Sequence, residues 1–487
     1  MDIQSAIKLN QNLLKEIFSK DKKLHDIKEE LRKETGLQSG NRENLTIGVG
    51  HQPVTYYPGL LLKNFFAGSQ AKRLNINAIN FIVDSDNGPL DVPVPFFKNG
   101  YYGKEIIQLK KNPEIIFQNY NLSVPEVENF FHRTRDNLQT LNNQEVIQAF
   151  EEWENKFWVI YNKENNFPEA LSYMRNDFEK GRGIKFHDIK ISSIAGTNAY
   201  YRFIWYIIEH LNDFCKIYND AVLNQSSEKY SPVKCLYSEK GWTEIPFWMI
   251  KEGKRYRVEI KKNINYLEVR SKEAGNQFSI DITSNAVEEL KNTILLYPKA
   301  TTLTIMFRLF FCDLFVHGFG AVEYEKVNNE FMKKFFNLKT SPLFYAVTGD
   351  IYFPFFSDMP DYNEAEKEKK EKEKWLKEFQ HNPANLLNRE TSLKFKQKKM
   401  HIVKAMRKEE NKKKKKDYHQ MLKMIDSQIK NSLSPEKEDV QKNLNGIQFF
   451  LENQKIFFER KYPYFIYPRN VLAYDNLEKN MIIKSFK

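Results

Sequence analysis

Three short stretches carry the residue types that do chemistry. In IGVGHQPVTYYPGLLLKNFF (residues 47–66), Gly50, His51 and Gln52 follow an apolar run and precede a Pro-Gly turn. His51 can donate, accept or titrate near neutral pH, Gln52 offers both a donor and an acceptor, and Gly50 lets the backbone come close to a ligand. The free N–H groups of the helix start that follows favour phosphate or carboxylate. Lys63 lies within that helix and reaches a phosphate only if its face turns toward the cleft. A loop histidine on a solvated edge would leave the same signature. The second stretch, FIVDSDN (residues 81–87), sets Asp84 and Asp86 at the end of a buried run. Strand alternation puts both carboxylates on one side, where they could bind an amine, hold a divalent cation or act as a base. Asp and Asn also simply terminate strands well. The third stretch is His317-Gly318-Phe319-Gly320, with Glu323 and Tyr324 a turn later. Two glycines at a helix entry can cradle an anion on backbone amides, and His317 could be a second acid/base. The spacing matches neither the G-x-G-x-x-G fingerprint nor a P-loop.

These residues need strands to carry them. LTIGVGH reads as a strand, NFFAGSQAKRL as a helix and INAINFIVDSDN as a second buried strand. That β-α-β order predicts a parallel sheet with crossover helices, in which ligands sit at the carboxyl ends of the strands. VPVPFF is extended by its prolines. Residues 103–180 are mostly helical by periodicity. TEIPFWMIKEGKRYRVEIKKNINYLEVRS predicts strands with a hairpin at EGK, and residues 297–356 return to α/β character. From Ala365 a long charged helical stretch begins. SLSPEKED then restarts a helix, with Ser434 as cap and Pro435 at its first position. Leu393, Met400, Val403, Met406, Met421, Met424, Ile425 and Ile429 form a narrow apolar stripe, predicting an antiparallel, coiled-coil-like helical hairpin. YPYFIYP reads as an aromatic strand returning to the main body.

Composition bounds the function. The 487 residues are 41% hydrophobic and 14% aromatic, enough for a sizeable core in two or three units. Mean hydropathy is −0.62, and no apolar run reaches the ~20 residues of a spanning helix, so no membrane association is expected. The N-terminal stretch reads as an amphipathic helix rather than a secretory signal. Three cysteines without C-x-x-C spacing, and no His cluster to complete a zinc site, predict no zinc site and reduced thiols in a cytoplasmic setting, and no residue is assigned to a metal; Cys215 and Cys312 read as packing residues. The net charge of +12 is local. Residues 364–425 hold 20 Lys and Arg against 10 Asp and Glu, so the rest of the chain is close to neutral. The run NKKKKKD fits a solvated helix face better than a nucleic-acid platform, since aromatic interleaving is missing.

Taken together, the loops resemble the bacillithiol biosynthesis cysteine-adding enzyme family. GHQPVTYYPGLLLKNFF followed by FIVDSDN is similar to that family's TGQQ-type loop, lysine-bearing helix and E-D-H-D-type cluster. LFVHGFGAVEYEKVNNEF is similar to its G-G-P-G-x-x-x-Y pattern, with Gly318, Gly320 and Tyr324 in matching places, and TEIPFWM resembles its Pro-Phe-Trp segment. His51 stands where that family has Gln, DSDN lacks the histidine, and His317 and Phe319 replace a glycine and a proline. The resemblance implies a Rossmann-like core with inserts over residues 1–363, a basic coiled-coil hairpin over 364–461 used for homodimerisation, and a segment, 462–487, returning to the core. It implies addition of cysteine to an amine-bearing small molecule and a nucleotide (ATP or ADP) pocket. In that reading His51, Asp84, Asp86 and His317 are catalytic, and Gly50, Gln52, Lys63, Gly318, Gly320 and Tyr324 bind substrate or nucleotide. Two rivals remain at this stage: a nucleotidyltransferase-like enzyme, and a non-catalytic protein whose basic hairpin binds nucleic acid or an acidic partner.

Overall fold

The apolar run Thr46–His51 is the central strand, β1, of a six-stranded sheet in a computed structural model that describes residues 2–37, 45–225, 233–356 and 360–486. The other strands, in chain order, are Asn77–Ile82 (β2), His187–Lys190 (β3), Leu314–Gly318 (β4), Phe344–Thr348 (β5) and Ile482–Phe486 (β6). The sheet order is β6-β5-β4-β1-β2-β3. β1 to β5 pair in parallel, and β6 adds antiparallel to β5. Ile47, Val49, Ile79, Phe81, Val316 and Ala346 are all buried, as expected of parallel strands covered on both faces. Parallel neighbours need a crossover. Between β1 and β2 it is the helix Pro58–Leu74, opened by a proline and closed by Asn75 in the left-handed region, and between β4 and β5 it is the helix Val322–Phe335. The order β3-β2-β1-β4-β5 grows outward in both directions from β1, so the chain reverses its winding between β1 and β4.

Two local expectations change. Residues 101–108 are not helical: Asp91–Lys98 and Tyr101–Gln108 pair as a hairpin through Asn99 and Gly100, both with positive φ. Asn-Gly is a favoured two-residue hairpin turn, and it outweighs the helical periodicity, which starts only at Val124. YPYFIYP is not a strand. Tyr464–Ile466 form a buried 3-10 turn, and the returning strand is β6. The EGK hairpin forms as expected, with Glu252 and Gly253 at positive φ, inside a second, antiparallel sheet that includes Trp242–Lys251 and Lys254–Lys262.

The chain divides into two compact units, residues 1–353 with 460–487, and residues 354–459. The second consists mainly of four helices, Tyr362–His381, Arg389–Lys408, Lys412–Ser432 and Ser434–Glu452. The first packs along the fourth and the second along the third. The long charged helical stretch is divided into three helices, because Pro383 lacks a donor and because Asn388 and Asn411 cap new helices with their side chains. Ser434 occupies the first helical position instead of the cap, which falls to Leu433. Ile425 and Ile429 are buried with Ala384 and Leu433, whereas Leu393, Met400, Met421 and Met424 stay exposed. Among the described residues no helix is long and apolar enough to cross a membrane.

Candidate functional site at the carboxyl edge of the sheet

The register fixes what meets at the strand tips. His51 lies opposite Ile82 at the end of β2, and β4, which ends at Gly318, pairs with β1 on its other side. The His-Gln corner, the aspartate turn and the double-glycine loop therefore leave three adjacent strands at the same edge. The winding reversal between β1 and β4 lies in their midst, the position at which open α/β sheets open a crevice.

A side-chain contact joins the first two loops, and charge reaches the third. Gln52 Nε2 donates to Asp86 Oδ2 at 2.7 Å, tying the first loop to the second. Lys63 is only 3% exposed and donates to the Gly50 carbonyl at 2.6 Å. Its charge reaches both His51 and His317. Tyr324 feels Asp86 and stands edge-on to His317 at 6.0 Å. Lys63 thus lies beneath the loop, holding its backbone, instead of reaching into open cleft.

The protonation states follow from burial. Desolvation and the Lys63 charge push His51 down to about 3, so its ring is neutral at ordinary pH. Its Nδ1 lies 3.2 Å from the Gln52 carbonyl. A carbonyl only accepts, so Nδ1 carries the proton and Nε2 keeps a lone pair. His317 is lowered to about 4 by burial, against the opposing pull of Glu325, 3.4 Å from its Nε2. Glu325 is itself held by Arg308 and Asn328, so His317 is built into a buried polar cluster. Burial lowers Lys63 to about 7, with Arg175 adding to the effect and Glu179 opposing it.

The aspartates diverge. β2 ends at Ile82 and the chain turns at Asp84 and Ser85, so strand alternation does not apply and the carboxylates do not share a side. Asp84, 6% exposed, accepts the Ser192 amide at 3.0 Å and the Ser192 hydroxyl. Burial still raises its pKa. Asp86 pairs with Arg255 and caps the amide of Asn87. Gly318 and Gly320 have no atom within 4 Å of where a Cβ would stand. Gly318 has φ −80° and is extended, and the helix after it begins through a short 3-10 turn. The loop therefore leaves open space over its backbone without forming a left-handed nest.

Beside Asp84 lies a crevice of about 130 Å³, lined in part by Pro53, Ile82, Gln118, Glu169, Asp188 and Lys190. Arg175 holds its wall in place, donating to both oxygens of Asp188 at 2.7 and 2.6 Å and to Glu179. Asn64 and Asn80 complete the set.

Sequence reasoning did not find Arg255, Ser192, Arg175, Asp188 or Lys110. Arg255 looks like any charged residue of an alternating hairpin, and nothing local signals its pairing with a carboxylate 169 residues away. Lys110 is fully buried and has no hydrogen-bond partner among the described residues, its ammonium 4.2 Å from the Phe117 ring centroid and close enough to Asp86 and Arg255 to feel both. Among the described residues no three His, Cys, Asp or Glu side chains are grouped to share a metal ion. No protein-family model matches the chain, and no curated protein matches it in sequence.

Proposed function

We propose that this chain is a carbon–nitrogen bond-forming enzyme with a Rossmann-like core, adding cysteine or a related amino acid to an amine-bearing small molecule. The convergence of three polar loops at the winding reversal is the observation that carries this reading. Asp84 is a buried carboxylate whose pKa burial raises, against the Ser192 hydrogen bonds and the Lys190 charge, so a ligand ammonium in the crevice gains from it. His51 Nε2 is the base for the amine. It is weak while the site is empty, and an anionic substrate nearby raises its pKa toward neutrality, since an opposite charge favours the protonated ring. Asp86 and Gln52 hold the corner that carries His51, and the late loop, with open space where a Cβ of Gly318 or Gly320 would stand, receives a carboxylate or phosphate. Tyr324 bounds that side. Amide formation expels water and is uphill, so the amino-acid carboxyl must be activated. A nucleotide such as ATP suits that need, and the late loop is its place in this reading. The loop resemblance to cysteine-adding enzymes supports the same assignment.

The test uses the full chain with cysteine, an amino-sugar acceptor and ATP, and follows amide product by mass. Asp84→Asn and His51→Ala should each lower turnover at least about a hundredfold. Asn keeps an acceptor for Ser192, so the Asp84→Asn melting transition should move little. Turnover unchanged in both variants would remove the site. Pyrophosphate release without consumption of the amine would identify a nucleotidyltransferase instead.

A further inference from the structure

We propose that a second cleft, between the helices Gln144–Glu164 and Phe167–Lys180 and the segment 464–473, binds a flat aromatic molecule carrying one anionic group. The cleft measures about 470 Å³, within the size range of small-molecule sites. It shares no lining residue with the strand-edge crevice.

Its floor is rigid and aromatic. Trp153 stacks on Phe465 at 4.0 Å between centroids and donates its indole N–H to the Tyr464 hydroxyl. The ring of Phe178 lies beneath the Arg182 guanidinium, 3.6 Å from it. A planar ring gains stacking and edge contacts from such walls.

The charge balance selects the ligand's sign. Four of the five charged groups in the lining pair off, Lys156 with Asp177 at 3.0 Å and Arg469 with Glu152 at 2.5 Å. Arg182 is the fifth. It donates to the carbonyls of Leu472 and Phe178 at 2.8 and 3.2 Å, and it has no carboxylate partner among the described residues. Two neutral acceptors fix its plane without cancelling its charge, so the cleft keeps one positive charge over an apolar floor. Burial, with Arg469 nearby, has already lowered its pKa to about 10. A single carboxylate, sulfonate or phosphate monoester on the ring would supply the missing partner, and charge-assisted bonds to a fixed guanidinium are among the stronger ones.

Anilinonaphthalene sulfonate, a flat bicyclic ring with one sulfonate, is the probe, and neutral phenylnaphthylamine is the comparator. The full chain should bind the sulfonate saturably at one site, with quenching of Trp153. Arg182→Gln should weaken the sulfonate about tenfold or more while leaving the neutral comparator unchanged. Ala149→Trp, which puts a bulky ring into the cleft lining, should abolish both, and Asp84→Asn should alter neither. Near-ultraviolet circular dichroism checks that each variant is folded. If Arg182→Gln does not fold, Ala149→Trp decides. Undiminished sulfonate binding in folded Ala149→Trp, or equal affinity in folded Arg182→Gln, would overturn the assignment.

Discussion

Two buried lysines show how one residue type is put to different uses in one protein. Lys63 has the Gly50 carbonyl as acceptor. Lys110 rests against the faces of Phe117 and Tyr120, with its pKa lowered to about 8 by burial. A ring face does not replace a hydrogen bond for a fully desolvated ammonium. Below pH 8 Lys110 is charged in both the folded and unfolded chains, so the burial cost is fully present. Between about 8 and 10.5 the folded state sheds its proton first, and stability rises with pH because the unfolded chain binds more protons. Lys110→Met keeps the length and removes the charge. It should stabilise the chain on the order of 1–2 kcal/mol at neutral pH, with the gain shrinking toward pH 10, as measured by denaturant unfolding across that range. A loss at pH 7 would mean that the ammonium has a partner it cannot do without. Nothing in QLKKNP distinguishes Lys110 from the exposed Lys111 beside it. Which of two adjacent lysines turns inward is decided by packing against Phe117, several residues on.

At the scale of elements, the glycines of β1 and of the late loop separate packing from binding. A Cβ on Gly48 would stand 2.1 Å from Cys312 Sγ and 3.1 Å from the Phe315 ring, so Gly48→Ala should cost about 1–3 kcal/mol through overpacking. Cys312→Ala in the same chain should recover much of that loss in a double-mutant cycle. Gly318→Ala meets no atom within 4 Å at an ordinary φ, so its stability should stay within about 0.5 kcal/mol of wild type. Its affinity for an anionic substrate should fall if the loop amides receive that group. The comparison also marks what the sequence made legible. Apolar runs broken by Gly-His-Gln and by Asp-Ser-Asp gave β1, the crossover helix and β2, because buried parallel strands leave long unalternating runs. The same runs located the polar tips. Strand alternation failed for Asp84 and Asp86 because the strand stops at Ile82, and a turn sends the two side chains to Ser192 and to Arg255. Those partners lie more than a hundred residues away, where one chain's local pattern holds no trace of them.

For the whole molecule, the excess charge and the exposed methionines both belong to the helical unit 354–459. Lys412–Lys416 are all exposed. On the same pair of helices Met424 is 65% exposed, with Leu393, Met400 and Met421 about half so. Four large apolar side chains in water on an adjoining helix pair are a surface that a second copy of the unit can cover, the dimer contact proposed by analogy with the cysteine-adding family. The two lysine runs of such a dimer repel one another. Salt screens that repulsion between exposed charges, so self-association should tighten as ionic strength rises. Capture of a polyanion by the same lysines would weaken steeply through counterion release. Sedimentation equilibrium at low and high salt should give a dimer that is stronger at high salt. Met400→Lys with Met424→Lys should leave a monomer with an unchanged melting transition, since neither side chain contributes to the buried cluster around Ile425 and Ile429. Association that weakens with salt, or that survives the double substitution, would exclude this face as the contact and leave the basic run as the feature to explain.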